Sequence, residues 1–371
     1  MKLHIDEIEI RHIRMRLRSP FQTSFGVELD RDCIILCLRS DGIEGWGECV
    51  ASSFPGYNYE TAETARHVLR DFFIPTILGD WIEDVQSYQD RIGHYRGHNL
   101  ARAGLEMALW DLFGKARGQS LSAMLGGVRT SVPVGVSIGI KEDEASLLEI
   151  VSDYINQGYR RIKLKIKPGR DIAVVKPVRE NHPELLLQVD ANSAYELSHA
   201  PIFQSMDDLN LVLIEQPLAE DDIIDHRQLQ AQLKTPLCLD ESILCLRHAR
   251  QALQLEACRI INIKPGRVGG LSEAVRIHDF CRAKEVPVWC GGMLETNIGR
   301  ASNLALASLP GFTLPGDISA SDRYYEIDIA EPSFSLNEDS TIDVPEGPGL
   351  GVSVEVEALD HFTLRKETWK A

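Results

Sequence analysis

Five charged residues stand at a near-constant spacing along the 371-residue chain, and together they could move a proton next to a carboxylate. Lys165, Asp190, Glu215, Asp240 and Lys264 are separated by 25, 25, 25 and 24 residues. Three acids brought together from successive elements make an oxygen-only site of the kind Mg²⁺ takes, with Mn²⁺ as a substitute, and leave positions for water and substrate. No His or Cys sits among them, which disfavours Zn²⁺. A divalent cation polarises a substrate carboxylate, so a proton on its α-carbon can leave as an enediolate forms. Lysine has an ordinary pKa of about 10.4, so a lysine base must be lowered by its surroundings. A second lysine beside a divalent cation provides repulsion of that sign. One base on each face of the α-carbon permits removal from one side and return from the other, which is racemisation or epimerisation.

Taken singly, each piece has a plainer account. An acid after a strand is commonly a helix cap or a solvated loop residue, and a buried lysine commonly belongs to a structural ion pair. The elements that carry these residues favour the joint reading. From residue 130 onward short apolar runs recur: VGVSIGI (134–140), IKLKI (162–166), LLLQVDAN (185–192), LVLIEQP (211–217), LCLDES (237–242), IINIKP (260–265), VPVWCGG (286–292) and TLPGD (313–317). Helical stretches lie between them, at 143–157 and 271–284 among others. Eight alternations predict parallel strands with crossover helices, hence an α/β fold with a (β/α)₈ TIM-type barrel over 126–319. No GxGxxG follows any strand, which argues against an open doubly wound sheet. Continuing the 25-residue step reaches Ile140, Trp289 and Leu314 at the remaining strand ends. Alternation along a strand aims Lys163 and Lys165 inward while Ile162, Leu164 and Ile166 face the helices, and aims Asn262 and Lys264 inward likewise. Second and sixth strands of a ring lie about opposite, so Lys165 and Lys264 flank the acids.

Around the barrel, residues 1–125 read as an α+β capping domain, and 320–371 are expected to return and complete it. Leu105, Ala108, Leu109, Leu112 and Ala116 repeat at three and four residues, and Gly118 marks a stop. The chain has 39 Lys+Arg against 55 Asp+Glu, a net charge of −16, which argues against nucleic acid and anionic membrane as partners. No apolar run is long enough for a membrane helix and no signal-peptide core is visible, so a cytoplasmic protein is expected. The eight cysteines form no CxxC pair and read as reduced core residues. A homo-oligomer is the default assembly.

At the charged positions the sequence resembles the enolase superfamily, in its muconate-lactonizing subgroup. FQTSFG (21–26), YRRIKLKIKPG (159–169), VDANSAY (189–195), IEQPL (214–218), CLDES (238–242) and WCGGMLE (289–295) look more closely like the N-succinylamino acid racemase/o-succinylbenzoate synthase family. The resemblance implies Mg²⁺ on Asp190, Glu215 and Asp240, with Lys165 and Lys264 as the acid/base pair; a Lys or His base with Mg²⁺ is the general enolase-superfamily pattern. It implies that Lys163 supports the substrate carboxylate and Lys165, and that Ser137, Asn192, Gly291, Met293 and Leu294 lie near a small-molecule carboxylate substrate. Phe21, Thr23, Ser24 and Phe25 match a mobile loop that closes over the site, the alternative being a plain surface turn. The implied reactions are racemisation of N-acylamino acids and the dehydration that makes o-succinylbenzoate, in menaquinone synthesis.

Other readings fit less well. WCGGM lacks the His of mandelate-racemase-type sites, and Asp317-Ile318-Ser319 breaks the Asp-x-Asp of dipeptide epimerases; a muconate-type cycloisomerase and a non-catalytic binding barrel complete the alternatives. GVSIG (135–139) matches a nucleophile elbow, but its Ser137 falls within a strand. His94 and His98 lack the Glu of HExxH. Arg267, three residues beyond Lys264, is either a surface arginine or a fixed charge that lowers the Lys264 pKa.

Overall fold

The computed structural model describes residues 1–371. Its N-terminal part is an antiparallel sheet in which Thr363–Lys370, Glu7–Gln22, Val27–Ser40 and Ile43–Cys49 lie side by side in that order. The apolar run 33–38 is buried on both faces of this sheet. Ile34, Leu36 and Leu38 pack into the core of the capping helices, whereas Cys33, Ile35 and Cys37 belong to the larger core shared with the barrel. The sheet is therefore a middle layer, and burial of each large aliphatic side chain contributes about 1.5–3 kcal/mol. The helix Asn99–Arg117 lies across it, close enough that a Cβ on Gly45 would stand 2.3 Å from the Ala108 carbonyl and one on Gly47 2.2 Å from that of Gly104. Gly118, at φ 64°, ends that helix where the periodicity stops.

The barrel has seven parallel strands in sequential order: Val136–Ile138, Arg161–Lys165, Leu186–Asp190, Ile214–Glu215, Leu237–Leu239, Ile260–Ile263 and Val288–Cys290. The eighth expected strand is not regular. Residues 312–317 close the ring through single bridges, Val134 to Gly316 on one side and Val288 to Phe312 on the other. Pro315 has no N–H to give a ladder, and the amides of Thr313 and Leu314 both go to the Val288 carbonyl. A small apolar cluster of Leu213, Cys238, Ile260 and Trp289 fills the barrel interior and forms the floor of the site.

The C-terminal segment does not return as one piece. Thr341–Asp343 pairs antiparallel with Ser131–Pro133 beside the first barrel strand, Ala330–Glu331 pairs with Ser353–Val354, and only Thr363–Lys370 joins the N-terminal sheet. All eight cysteines are free, seven of them buried. No helix is long and apolar enough to cross a membrane.

Candidate active site

The parallel register sets the acids. Glu215 is the direct partner of Asp190 on the neighbouring strand, and Asp240 follows the next strand in order. All three are buried. Their side chains do not converge on one point as expected: no three acids are gathered closely enough to hold a metal ion by themselves. Cations interleave with them instead. Lys163 Nζ donates to Glu215 Oε2 at 2.8 Å, Lys165 Nζ to Asp190 Oδ2 at 2.6 Å, and Lys264 Nζ to Asp240 Oδ2 at 2.7 Å.

The donor set nevertheless fits a hard divalent cation, because every candidate atom is a carboxylate oxygen. Negative charge also accumulates there. Burial and then the Asp190 charge raise Glu215, and the same two causes push Glu241 up to about 7. Glu241 Oε2 is buried without a hydrogen-bond partner.

Lys165 also donates to Asn192 Oδ1 at 2.7 Å, and the Asn192 amide donates to Glu241 at 2.9 Å. Lys163 stands 4.9 Å above the Trp289 ring and within 2.7 Å of Asp317 Oδ2. Burial lowers both Lys163 and Lys264, yet the acids around Lys163, and Tyr57 with the acids around Lys264, outweigh it and hold both ammonium groups above the ordinary lysine range. Among the protein's own groups the sum therefore runs opposite to the lowering expected for Lys264.

Arg267 is not on the surface. It is fully buried in the helical turn Pro265–Val268, donates to Asp240, and gives its Nε–H to the Ile243 carbonyl at 2.8 Å. The guanidinium meets Lys264 through Asp240 and Tyr57 rather than directly.

The 21–26 loop is not a plain surface turn either. Ser24 Oγ donates to the Asn192 carbonyl at 3.1 Å, Phe21 lies 5.9 Å from Lys165 Nζ, and Phe21, Thr23 and Phe25 line the same cavity as the three lysines. That cavity encloses about 740 Å³ with its open mouth included. Ser137, Asn192, Met293 and Leu294 line it as well. Gly291 acts differently: a Cβ there would stand 2.6 Å from Lys264 Cε, so this glycine gives the lysine room. Asn192, Gln216 and Leu294, one to four residues beyond three barrel strand ends, hold φ values of 43°, 36° and 59°, a concentration of unfavourable backbone at the rim of the site.

Sequence reasoning missed several partners. Tyr57, from the capping domain, donates to Asp240 Oδ1 at 3.0 Å and accepts from Lys264 at 3.1 Å. Asp317 accepts from Ser137 Oγ at 2.7 Å and Arg161 at 2.9 Å; burial raises it, but Lys163 and Arg161 prevail and hold it well below the carboxylate range. Asn262 donates to Glu215 at 2.7 Å. Asp317 had a signal, an acid closing the last apolar run, but Tyr57 had none because its loop carries no period.

Residues 5–126 match the model of the mandelate racemase / muconate lactonizing enzyme N-terminal domain, and 146–358 that of the enolase C-terminal domain-like family. An o-succinylbenzoate synthase of Geobacillus stearothermophilus is 47% identical over 98% of this chain and 97% of its own. An N-succinylamino acid racemase of Amycolatopsis sp is 48% identical over 98% and 99%. The crystal structure of an enolase-superfamily member from Listeria innocua superposes with a TM-score of 0.95 at 39% identity, covering 99% of both chains. With five charged groups on five successive barrel strands and a capping domain closing over them, the chain belongs to the enolase superfamily and, within it, to the o-succinylbenzoate synthase/N-succinylamino acid racemase family.

Proposed function

We propose that this enzyme removes the α-proton of a carboxylate substrate with lysine bases, racemising N-succinylamino acids, forming o-succinylbenzoate by dehydration, or both. The observation that carries the reading is the pair of buried lysines, Lys165 and Lys264, on the second and sixth barrel strands with three acid-bearing strand ends between them. Asp190, Glu215 and Asp240 would hold Mg²⁺, or Mn²⁺ in its stead. When bound, that cation draws charge from the substrate carboxylate and so acidifies its α-hydrogen.

The chain's own residues do the rest. One lysine must meet the substrate as an amine and the other as an ammonium. Lys165 takes the α-proton on one face while Lys264 gives one back on the other, and the two exchange roles for the opposite enantiomer. In dehydration Lys165 is the base and Lys264 stays a fixed positive charge opposite it. Lys163 supports the substrate carboxylate, Asn192 orients Lys165, and Phe21 with Thr23, Ser24 and Phe25 shuts water out. Arg267 is a positioning residue that reaches Lys264 through Asp240 and Tyr57. The enzyme works in the cytoplasm as a homo-oligomer.

Chelation by EDTA should abolish racemisation of N-succinyl-phenylalanine and synthesis of o-succinylbenzoate, and added Mg²⁺ or Mn²⁺ should restore both. Full activity in metal-free enzyme would end the reading.

A further inference from the structure

Four buried carboxylate oxygens have no hydrogen-bond partner, one each on Glu28, Glu106, Asp328 and Glu241. Three of these side chains have other company. Glu28 stands 3.6 Å from the Arg31 guanidinium, and Glu106 and Asp328 accept the amides of Ser272 and Asn297 at the starts of two barrel helices. Glu241 has neither an ion pair nor a main-chain amide. Its Oε1 accepts the Asn192 side-chain amide at 2.9 Å, its Oε2 accepts nothing, and only 8% of the residue is exposed. The Lys264 charge acts on it, but that ammonium is bonded to Asp240. A carboxylate taken out of water on those terms is unfavourable unless something brings it positive charge.

Glu241 lines a second chamber, which shares Phe25, Tyr57, Asn58 and Asn192 with the substrate cavity. The exposed Glu220 is its other acid, and Ser193 adds a buried hydroxyl oxygen without a partner. Its single cation, Arg267, is taken up by Asp240 and the Ile243 and Asn262 carbonyls. The chamber's walls touch the strand-end acids: Tyr57 donates to Asp240 Oδ1, and the Asn192 N–H to Asp190 Oδ1 at 3.0 Å. The substrate cavity meets those acids differently. Lys163, Lys165 and Lys264 line it, whereas Glu215, Asp190 and Asp240, to which they are bonded, do not. Its own acids Asp317 and Glu60 are engaged, the first by Lys163 and Arg161 and the second by the Leu100 and Ala101 amides. A cation entering by the substrate cavity would meet ammonium before carboxylate.

We infer that divalent metal reaches Asp190, Glu215 and Asp240 through this side chamber, with Glu241 as the carboxylate that takes the ion in transit and Glu220 as the outer charge that draws it in. The inference rests on the metal centre proposed above and goes beyond it, because metal and substrate then have separate ways in. An acid-lined route raises the local concentration of a cation and its rate of entry. Mg²⁺ sheds its waters reluctantly, so an unpartnered carboxylate oxygen and a free hydroxyl along the way suit an ion that still carries them.

The test is Mn²⁺ uptake by the metal-free full-length enzyme, followed by rapid-mixing EPR of the free ion, with release measured by an EDTA chase. Glu241→Gln should slow uptake about tenfold, the low end of electrostatic effects on association, and should not speed release. Glu220→Lys, an exposed change that spares the fold, should slow uptake about threefold and more so at low salt. Glu28→Gln removes a negative charge from the substrate cavity instead and should leave uptake unchanged. Wild-type uptake rates in both Glu241→Gln and Glu220→Lys would overturn the route, and slowed uptake in Glu28→Gln would place entry in the substrate cavity and overturn it too. Faster release from Glu241→Gln with uptake unchanged would make Glu241 a holder of the bound ion and no part of a route. Each of these outcomes leaves the metal-assisted reading standing; a wild-type enzyme that takes up no Mn²⁺ would overturn that reading itself.

Discussion

Lys165 and Lys264 share a ring of acids but not their surroundings. Lys165 is held by Asp190 and Asn192 under the Phe21 ring, and Lys264 by Asp240 and Tyr57. Each faces a substrate from its own side, so the two should be separable by isotope exchange. In D₂O, Lys264→Ala should still exchange the α-proton of one enantiomer of N-succinyl-phenylalanine, and Lys165→Ala that of the other. Exchange of both enantiomers at wild-type rates by either variant would sink the two-base assignment. These two lysines were legible from a strand-end period because a parallel barrel repeats one unit per strand. Tyr57 was not, since it reaches the site by tertiary closure from a segment without regular structure, and Asp317 was legible only as an acid closing the last apolar run. Arg267 was visible as a residue, but its place was left open between the surface and the neighbourhood of Lys264. Three residues past a strand end is ordinarily loop, but here a one-turn helix folds the side chain back under Asp240.

At the scale of elements, the capping domain grips the barrel through helix ends. Glu48 accepts N–H groups of Thr296 and Gly299 at the start of the barrel helix Asn297–Ala307. Glu106 accepts the Ser272 N–H at the start of Leu271–Arg282 at 2.9 Å, and the Trp110 indole N–H at 3.0 Å. A carboxylate at a helix N-terminus is favoured by the dipole and by unpaired amides. Burial is the larger effect at both and pushes each up to about 7. A folded-state value above the ordinary one means the native protein binds the proton more tightly than the unfolded chain. Stability from such a group is complete below about 4.3, the unfolded value, and is lost as pH rises toward 7. Glu106→Gln should therefore flatten the fall in Tm between pH 5 and pH 8, by about 1–3 kcal/mol of unfolding free energy across that interval. An unchanged pH slope in thermal melts of the variant would show that Glu106 does not titrate there. Gly270, at φ 131°, lies against the same carboxylate: a Cβ there would stand 1.3 Å from Glu106 Oε2. None of this was readable from sequence, because a capping acid normally sits within a few residues of its helix, and Glu48 lies 248 residues from Thr296.

At the scale of the molecule, the chain is sewn shut by its own end. Thr363–Lys370 pairs antiparallel with Glu7–Gln22, and Arg66 reaches Glu367 at 3.0 Å across the capping domain. The C-terminal strand buries little: five of its eight residues are exposed and the other three only partly covered. Its removal thus sacrifices little apolar contact. What it covers is backbone, since without it the long strand Glu7–Gln22 becomes an open edge presenting unpaired N–H and C=O groups. The sequence reading expected the C-terminal segment to return to the capping domain, as this strand does, but did not single out 363–370, which lacks the apolar face that would reveal a core position. A chain ending at Phe362 should keep its site, because no residue beyond 362 touches the lysines or the acids. Freshly purified, it should retain activity within about threefold of the full chain and respond to Mg²⁺ in the same way. Its Tm should fall by several degrees, about 1–2 kcal/mol for a domain of this size, and it should self-associate progressively in light scattering at rising concentration. The same Tm and the same particle size as the full chain would show that the strand is not what protects this edge.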